Sequence, residues 1–141
     1  MSPFSYYLQE FRLSRGVRQG ELARMLGYEQ AYVSALEIGR KGPPSTEFVG
    51  KLIKVYDLSS IEQEALHLAV ASSERRLVIS HDADREVYKT LTELKKYLEK
   101  MRPEQLRIIR DVAKLSEELL ETQQKEMPRK IKRRLKTETT M

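Results

Sequence analysis

The eight residues QAYVSALE, positions 30–37, carry side chains whose types and spacing suggest a chemistry for this chain. On a helix, Val33 and Leu36 share one apolar face, and an uncharged face of small, hydrogen-bonding side chains lies beside it. This second face consists of Gln30, Ala31, Ser34 and Ala35, with Tyr32 at its flank. A face that is uncharged, small and hydrogen-bonding can enter a DNA groove and contact base edges.

A helix that contacts bases must be positioned by other elements, and the preceding residues supply one. The stretch RQGELARMLG, residues 18–27, places Leu22, Ala23 and Leu26 on one face of a short helix. Gly27 tolerates the positive φ that a sharp turn requires, and Ala23 is small enough for a close crossing of two helices. The sequence therefore predicts two short helices joined by a tight turn.

The spacing of these residues resembles the lambda-repressor/Cro-type helix-turn-helix domain, also called the Xre family. The matching positions are Gln19, Glu21-Leu22-Ala23, Leu26-Gly27, Val33, Leu36-Glu37 and Gly39, followed by a basic loop. The resemblance covers residues 4–57 and implies a sequence-specific regulator of transcription that binds double-stranded DNA. We expect a repressor that binds an inverted-repeat operator as a homodimer, since one such unit reads only a few base pairs.

The resemblance also implies roles for individual residues. The expected base contacts are Gln30, Ala31, Ser34 and Ala35. The expected phosphate contacts are Gln19, Tyr32, Arg40 and Lys41. For Tyr32, packing on the protein surface is an equal alternative. Arg12, on the first helix, is expected to form a structural salt bridge with Glu37.

Three positions depart from the family pattern. Arg18 stands where serine or threonine usually caps the first motif helix, and Gly20 weakens the first turn of that helix. Glu29 stands where the second helix usually begins with serine or threonine. Its carboxylate suits the helix dipole but repels phosphate, so it either accepts a bond from cytosine N4 or faces away. The base preference therefore stays open.

The flanking sequence predicts an all-α fold, with a five-helix lambda-repressor-like helix-turn-helix domain over residues 1–72. The first helix has an apolar face in residues 4–11, and the fifth begins with Ser59 or Ser60 as its N-cap. The residues of the fifth helix that are expected to face the core are Ile61, Ala65 and Leu68.

Residues 73–124 are expected to form a helical region for dimerisation or interaction. Its segment RRLVIS, residues 75–80, predicts a short strand, and an unpaired strand invites pairing with another copy. Two helices with apolar stripes follow, and Pro103 fits the first turn of the second. A helical hairpin is the first interpretation and one long kinked helix is the alternative. The residues expected to hold the dimer are Leu77, Ile79, Val87, Leu91, Leu94, Leu98, Ile108 and Val112.

The net charge of +5 lies in the C-terminal tail, because residues 125–141 alone carry seven basic and two acidic groups. We expect this basic tail to be disordered. It is either simply solvated or acts as an arm that contacts phosphates.

The sequence offers little support for an enzyme or a metal site. It contains no cysteine, and its two histidines are His67 and His81. His81 stands beside Asp82 and Asp84, but a helix capped by Asp82 explains this cluster more simply than a metal ion does. We therefore expect no enzymatic activity, no cofactor and no bound metal.

Features outside these motifs bear on location and on a second function. No stretch reaches the roughly 20 apolar residues of a membrane span, and the N-terminus lacks a signal-peptide pattern. We expect a cytoplasmic, nucleoid-associated protein without a membrane partner. The alternative function is an antitoxin or co-regulator whose C-terminal helices bind another protein, with DNA binding for autoregulation. The apolar stripes in residues 87–101 and 108–119 fit a protein partner as well as a homodimer.

Overall fold

The structure, a computed structural model, describes residues 1–126 of the chain. These residues form seven α-helices and one short 3-10 helix, with no strand among them. They belong to two compact units, one running from Met1 to Ile79 and the other starting at Ser80. The predicted all-α fold is confirmed. The predicted basic tail, apart from its first two residues, lies outside the described part of the chain.

The first unit contains the five predicted helices. They are α1 (Pro3–Ser14), α2 (Gln19–Leu26), α3 (Gln30–Glu37), α4 (Thr46–Val55) and α5 (Ser60–Ala71). α2 packs on α3 and on α4, and α1 packs on α3 and on α5. Gly27 ends α2 in the left-handed conformation, with φ of 75°, and so provides the tight turn into α3.

One apolar core joins all five helices. Its members are Phe4, Leu8, Phe11, Leu22, Ala23, Leu26, Val33, Leu36, Phe48, Val49, Leu52, Leu58 and Leu66. The rings of Phe4 and Phe48 meet edge to face with their centroids 6.2 Å apart. Val33 and Leu36 are fully buried here, which holds α3 by one side and leaves its opposite side uncovered.

The helices of the first unit begin in two different ways. Ser2, Ser45 and Ser59 accept a bond from a backbone N–H and so cap α1, α4 and α5. Arg18 and Glu29, which precede α2 and α3, provide no side-chain cap. The two motif helices therefore depend on packing rather than on capping for their stability.

The prediction of which side of α5 faces the core is wrong. Leu66 is fully buried, whereas Ile61 and Leu68 are 79% and 67% exposed and Ala65 is exposed as well. The apolar stripe at these three positions therefore faces solvent in the single chain.

Polar contacts near both ends of α5 accompany this orientation. Near its start, Glu62 Oε1 pairs with Arg15 Nη2 of α1 at 2.7 Å. Just beyond its end, the hydroxyl of buried Ser73 accepts a bond from the Phe4 backbone N–H at 2.8 Å. Positions 62, 66 and 73 share one side of a helix, so both contacts lie on the side of α5 that buries Leu66.

The strand predicted for residues 75–80 is also wrong. The segment has no regular secondary structure, and Leu77 and Val78 are 75% and 88% exposed. A β-branched run forms a strand only beside a partner strand, and none exists in residues 1–126. Instead, the Arg75 guanidinium donates to the carbonyl oxygen of Gly39. The first unit accordingly continues to Ile79.

The second unit contains α6 (Arg85–Tyr97), a 3-10 helix (Leu98–Lys100) and α7 (Pro103–Glu126). Pro103 begins α7 and separates it from α6, because proline restricts the residue before it and lacks an N–H. One long kinked helix is thus excluded. α6 contacts the 3-10 helix that follows it, and the helical hairpin stays a prediction.

The acidic residues before α6 differ from the prediction in one detail. Asp84, rather than Asp82, is the N-cap, and its Oδ1 accepts from the Glu86 backbone N–H at 2.8 Å. Asp82 lies in the preceding turn and accepts a bond from the Ser80 hydroxyl. In the part of the chain that the structure describes, no three potential metal ligands form a cluster. Among residues 1–126, no helix is both long and apolar enough to cross a membrane.

We expect Leu66→Ala to lower the free energy of unfolding of the first unit by about 2–5 kcal/mol, because a fully buried leucine leaves a cavity. Leu68→Ala makes the same chemical change on the exposed side of α5, and we expect at most about 0.5 kcal/mol from it. Urea unfolding followed by circular dichroism measures both values. Equal losses in the two variants would contradict the observed orientation of α5.

Candidate nucleic-acid interface

The outward side of α3 carries the four residues that were predicted to contact bases. Gln30 and Ala31 are exposed, and Ser34 and Ala35 are half-buried. None of these four side chains is charged, and three of them are small. A helix of this kind fits the width of a major groove.

An open depression lies where α3 begins. It is lined by Arg18, Gln19, Gly20, Glu21, Arg24 and Gln30. Two guanidinium groups and one carboxylate give it a net positive charge, which suits a phosphate backbone. From the sequence, Arg18 was expected only as a residue without capping ability, and Arg24 was not predicted at this site. No local pattern marks these two residues, because the depression forms only once α2 and α3 cross.

The far end of α3 is held by a hydrogen-bonded network around Glu37, whose side chain is 6% exposed. Arg12 Nε donates to Glu37 Oε1 at 2.7 Å, and Arg12 Nη2 donates to Oε2 at 3.2 Å. The Arg12 guanidinium also donates to the carbonyl oxygen of Val17 at 3.1 Å. The hydrogen bond to Glu37 raises the pKa of Arg12. The network thus contains the expected salt bridge and ties α1 to α3.

Gln19 is a third member of this network, which the sequence did not predict. Its Nε2 donates to Glu37 Oε2 at 3.1 Å, so α2 is tied to the same carboxylate. Gln19 was expected to contact a phosphate. A glutamine amide has two N–H bonds, and the second one can still reach an anion.

An aromatic cluster supports the other edge of α3. The rings of Tyr28 and Tyr32 stack with centroids 5.1 Å apart, and both rings pack on Phe48. Burial raises the pKa of Tyr32. Lys41 Nζ lies 5.3 Å from the Tyr32 ring, and Lys51 Nζ lies 4.7 Å from the Tyr28 ring. Tyr32 thus packs on its neighbours and also orients a lysine through a cation–π contact.

Lys51 was not predicted at this site, because it lies on α4 and reaches the cluster only in the folded chain. Its ammonium also pairs with Glu47 at 3.0 Å. This hydrogen bond is the main reason why the pKa of Lys51 is raised.

The loop after α3 places further positive charge at the end of the helix. Arg40 and Lys41 are exposed there. The Lys41 backbone N–H donates to the Ala35 carbonyl oxygen at 3.1 Å, and Arg75 binds Gly39 next to them. Basic side chains therefore lie at both ends of the uncharged face of α3, the arrangement that a DNA backbone on either side of a groove requires.

The residues predicted to hold a dimer are accessible in the described chain. Leu77 at the end of the first unit and Val87, Leu98, Ile108 and Val112 of the second are exposed. Ile79, Leu91 and Leu94 are half-buried. The apolar stripe of α7 continues with Leu115 and Leu119, which are 53% and 64% exposed.

We expect Glu37→Ala to destabilise the first unit by about 2–4 kcal/mol, because Arg12 loses its partner at a largely buried site. A fully buried ion pair would lose about 3–5 kcal/mol. The matched control is Glu47→Ala, which breaks an exposed ion pair and should cost about 0.5 kcal/mol or less. Thermal melts compare the two variants. A Glu37→Ala protein as stable as the control would show that the network does not hold the unit together.

Comparison with known proteins agrees with this geometry. Residues 4–66 match the family model of a helix-turn-helix domain. No curated protein and no solved structure matches the chain significantly. The matched range contains α1 from its second residue, α2 to α4 and the first half of α5. The depression, the Glu37 network and the outward face of α3 all lie within it. The N-terminal unit of this chain therefore carries a helix-turn-helix domain.

Proposed function

We propose that this protein is a sequence-specific regulator of transcription of the Xre/Cro-like type that binds double-stranded DNA. The observation that carries the proposal is the uncharged outward face of α3, flanked at both ends by basic side chains. Acting on DNA, it would work in the cytoplasm, at the nucleoid. The resemblance to repressors of this type favours repression by occupancy of an operator.

In the proposed complex, α3 lies in the major groove and contacts base edges directly. The Gln30 carboxamide is suited to adenine, because it can accept from N6 and donate to N7 at once. Ala31 and Ala35 offer methyl groups to thymine, and the Ser34 hydroxyl can bond to any base. Since both Ser34 and Ala35 are half-buried, close approach is needed to reach them.

Phosphate contacts would position the helix in the groove. Gln19 begins α2, where backbone N–H groups point toward an anion. Arg40 and Lys41 would contact the backbone beyond the end of α3, and Tyr32 would act mainly by orienting Lys41. The structure adds Arg18, Arg24 and Lys51 as candidates for the same role. These contacts supply affinity, whereas the face of α3 supplies sequence preference.

We propose further that the protein binds an inverted repeat as a homodimer through its second unit. Ile108, Val112, Leu115 and Leu119 are spaced by four and three residues, the spacing of a two-helix seam. All four side chains are at least half exposed in the single chain. A second copy related by a twofold axis would cover this stripe with the same stripe.

Substitution of Gln30 tests the direct contact with bases. We expect Gln30→Ala to weaken binding to DNA selected from a random pool by roughly 1–3 kcal/mol and to relax the preference at one base pair per half-site. Binding to unselected DNA should change little. Fluorescence anisotropy titrations with both DNAs measure the difference.

Lys41→Ala is the contrasting variant. It should weaken binding to selected and unselected DNA alike and reduce the slope of log K against log salt by about one unit. If Gln30→Ala also weakened both DNAs equally, Gln30 would be a backbone contact and the assignment of the base-reading face would be wrong.

The dimer is tested by placing charges in the stripe of α7. Val112→Glu combined with Leu115→Glu should yield a monomer while the first unit keeps its helical spectrum, because two carboxylates cannot be buried against their own copies. Ala113→Glu combined with Arg110→Gln changes the net charge equally on the opposite side of the helix and should leave the dimer intact. Light scattering at micromolar concentration gives the mass. A monomeric wild type, or a stripe variant that stays dimeric, would refute this interface.

A further inference from the structure

The backbone conformation of α2 does not explain why residue 20 is a glycine. Gly20 is the second residue of the helix and has an ordinary helical φ, unlike the glycines that end helices. Glycine destabilises a helix relative to alanine. A side chain at this position would therefore be expected unless something nearby excludes it.

The side chain of Gln30 is what a Cβ at Gly20 would meet. An ideal Cβ would lie 3.0 Å from Gln30 Oε1 and 3.4 Å from Gln30 Cδ. The first distance is shorter than ordinary van der Waals contact. Gly50, the other glycine inside a described helix, is different, because a Cβ there would meet nothing within 4 Å. The close approach is thus particular to Gly20.

Building on the proposed function, we propose that Gly20 is a specificity-determining position, because its missing Cβ leaves the space in which the Gln30 carboxamide is oriented for base contact. Gly20 has no side chain that could touch a base, so its effect on base preference would come through Gln30 alone. Ten residues separate the two in the chain, and the crossing of α2 and α3 brings them together.

We expect a methyl group on residue 20 to affect the complex with DNA rather than the free protein. Gln30 is exposed, so in the free protein its end can move by a few tenths of an ångström with little cost. In a complex, two hydrogen bonds to one base fix the carboxamide in distance and in plane. A methyl group on residue 20 would then displace the carboxamide and weaken those hydrogen bonds.

The direction of side chains in a helix is consistent with the closeness of Gln30 to Gly20. Cα–Cβ bonds point toward the helix N-terminus, and few rotamers are allowed at each position. Gln30 is the first residue of α3 and lies at the rim of the depression beside Gly20. Its carboxamide lies directly beside α2, where a Cβ on residue 20 would stand.

The test compares wild type with Gly20→Ala, Gln30→Ala, the double variant and Gly50→Ala as a matched helix-glycine control. Dissociation constants are measured for the selected DNA and for a set of DNAs with each base pair changed in turn, at one salt concentration. We expect Gly20→Ala to lose at least about fivefold in affinity for the selected DNA, with its preference reduced at the base pair that Gln30 reads. Gly50→Ala should bind like wild type.

Two further readouts separate positioning from a merely structural role. The melting temperature of Gly20→Ala should equal or exceed that of wild type, since alanine favours the helix. In the Gln30→Ala background, Gly20→Ala should change affinity by less than about twofold, because coupled residues are not additive.

Each alternative outcome has a definite meaning. Gly20→Ala with unchanged affinity and base preference would overturn the inference, and so would an equal loss with and without Gln30. In both cases the proposed function would stand, since wild type still prefers its selected DNA. A wild type that prefers no sequence would instead refute the proposed function, and the inference with it.

Discussion

The buried carboxylate of Glu37 is the group on which the arrangement of the N-terminal unit depends. It is the last residue of α3, where the helix dipole disfavours a negative charge. Burial of such a charge is costly unless hydrogen bonds and an opposite charge compensate for it. Arg12 of α1 and Gln19 of α2 supply both. Three helices are thus held in the arrangement that satisfies one carboxylate.

This constraint matters because the motif helices are weak by themselves. α2 and α3 have eight residues each and no side-chain caps, and helices shorter than about 12–15 residues are marginal in water. Their buried faces and the Glu37 network supply the missing stability. The outward side of α3 therefore does not have to stabilise the helix. Its residues can be small, uncharged and suited to base contacts without weakening the fold.

The second unit shows the opposite balance between burial and exposure. α6 has no fully buried residue, and the apolar stripe of α7 remains in contact with water in a single chain. Burial of apolar surface is worth about 25 cal/mol per Å², so a stripe of four such side chains favours association. The first unit buries its apolar side chains in a core, whereas the second leaves an apolar stripe exposed.

The sequence by itself determined the features that depend on neighbouring residues. Helical spacing predicted five helices in the N-terminal unit, Gly27 predicted the turn, and Val33 and Leu36 identified the buried side of α3. The spacing in α5 was misleading, because both sides of that helix carry apolar residues. In the tertiary structure Leu66 is buried and Leu68 is exposed, and Glu62 and Ser73 contact Arg15 and Phe4 on the buried side. Likewise, residues 75–80 had the composition of a strand, but a strand also needs a partner. Only the tertiary structure brought Gln19 to Glu37 and Gly20 to Gln30. Local spacing decides which side chains share one face of a helix. Contacts between residues that are distant in the chain decide what that face packs against.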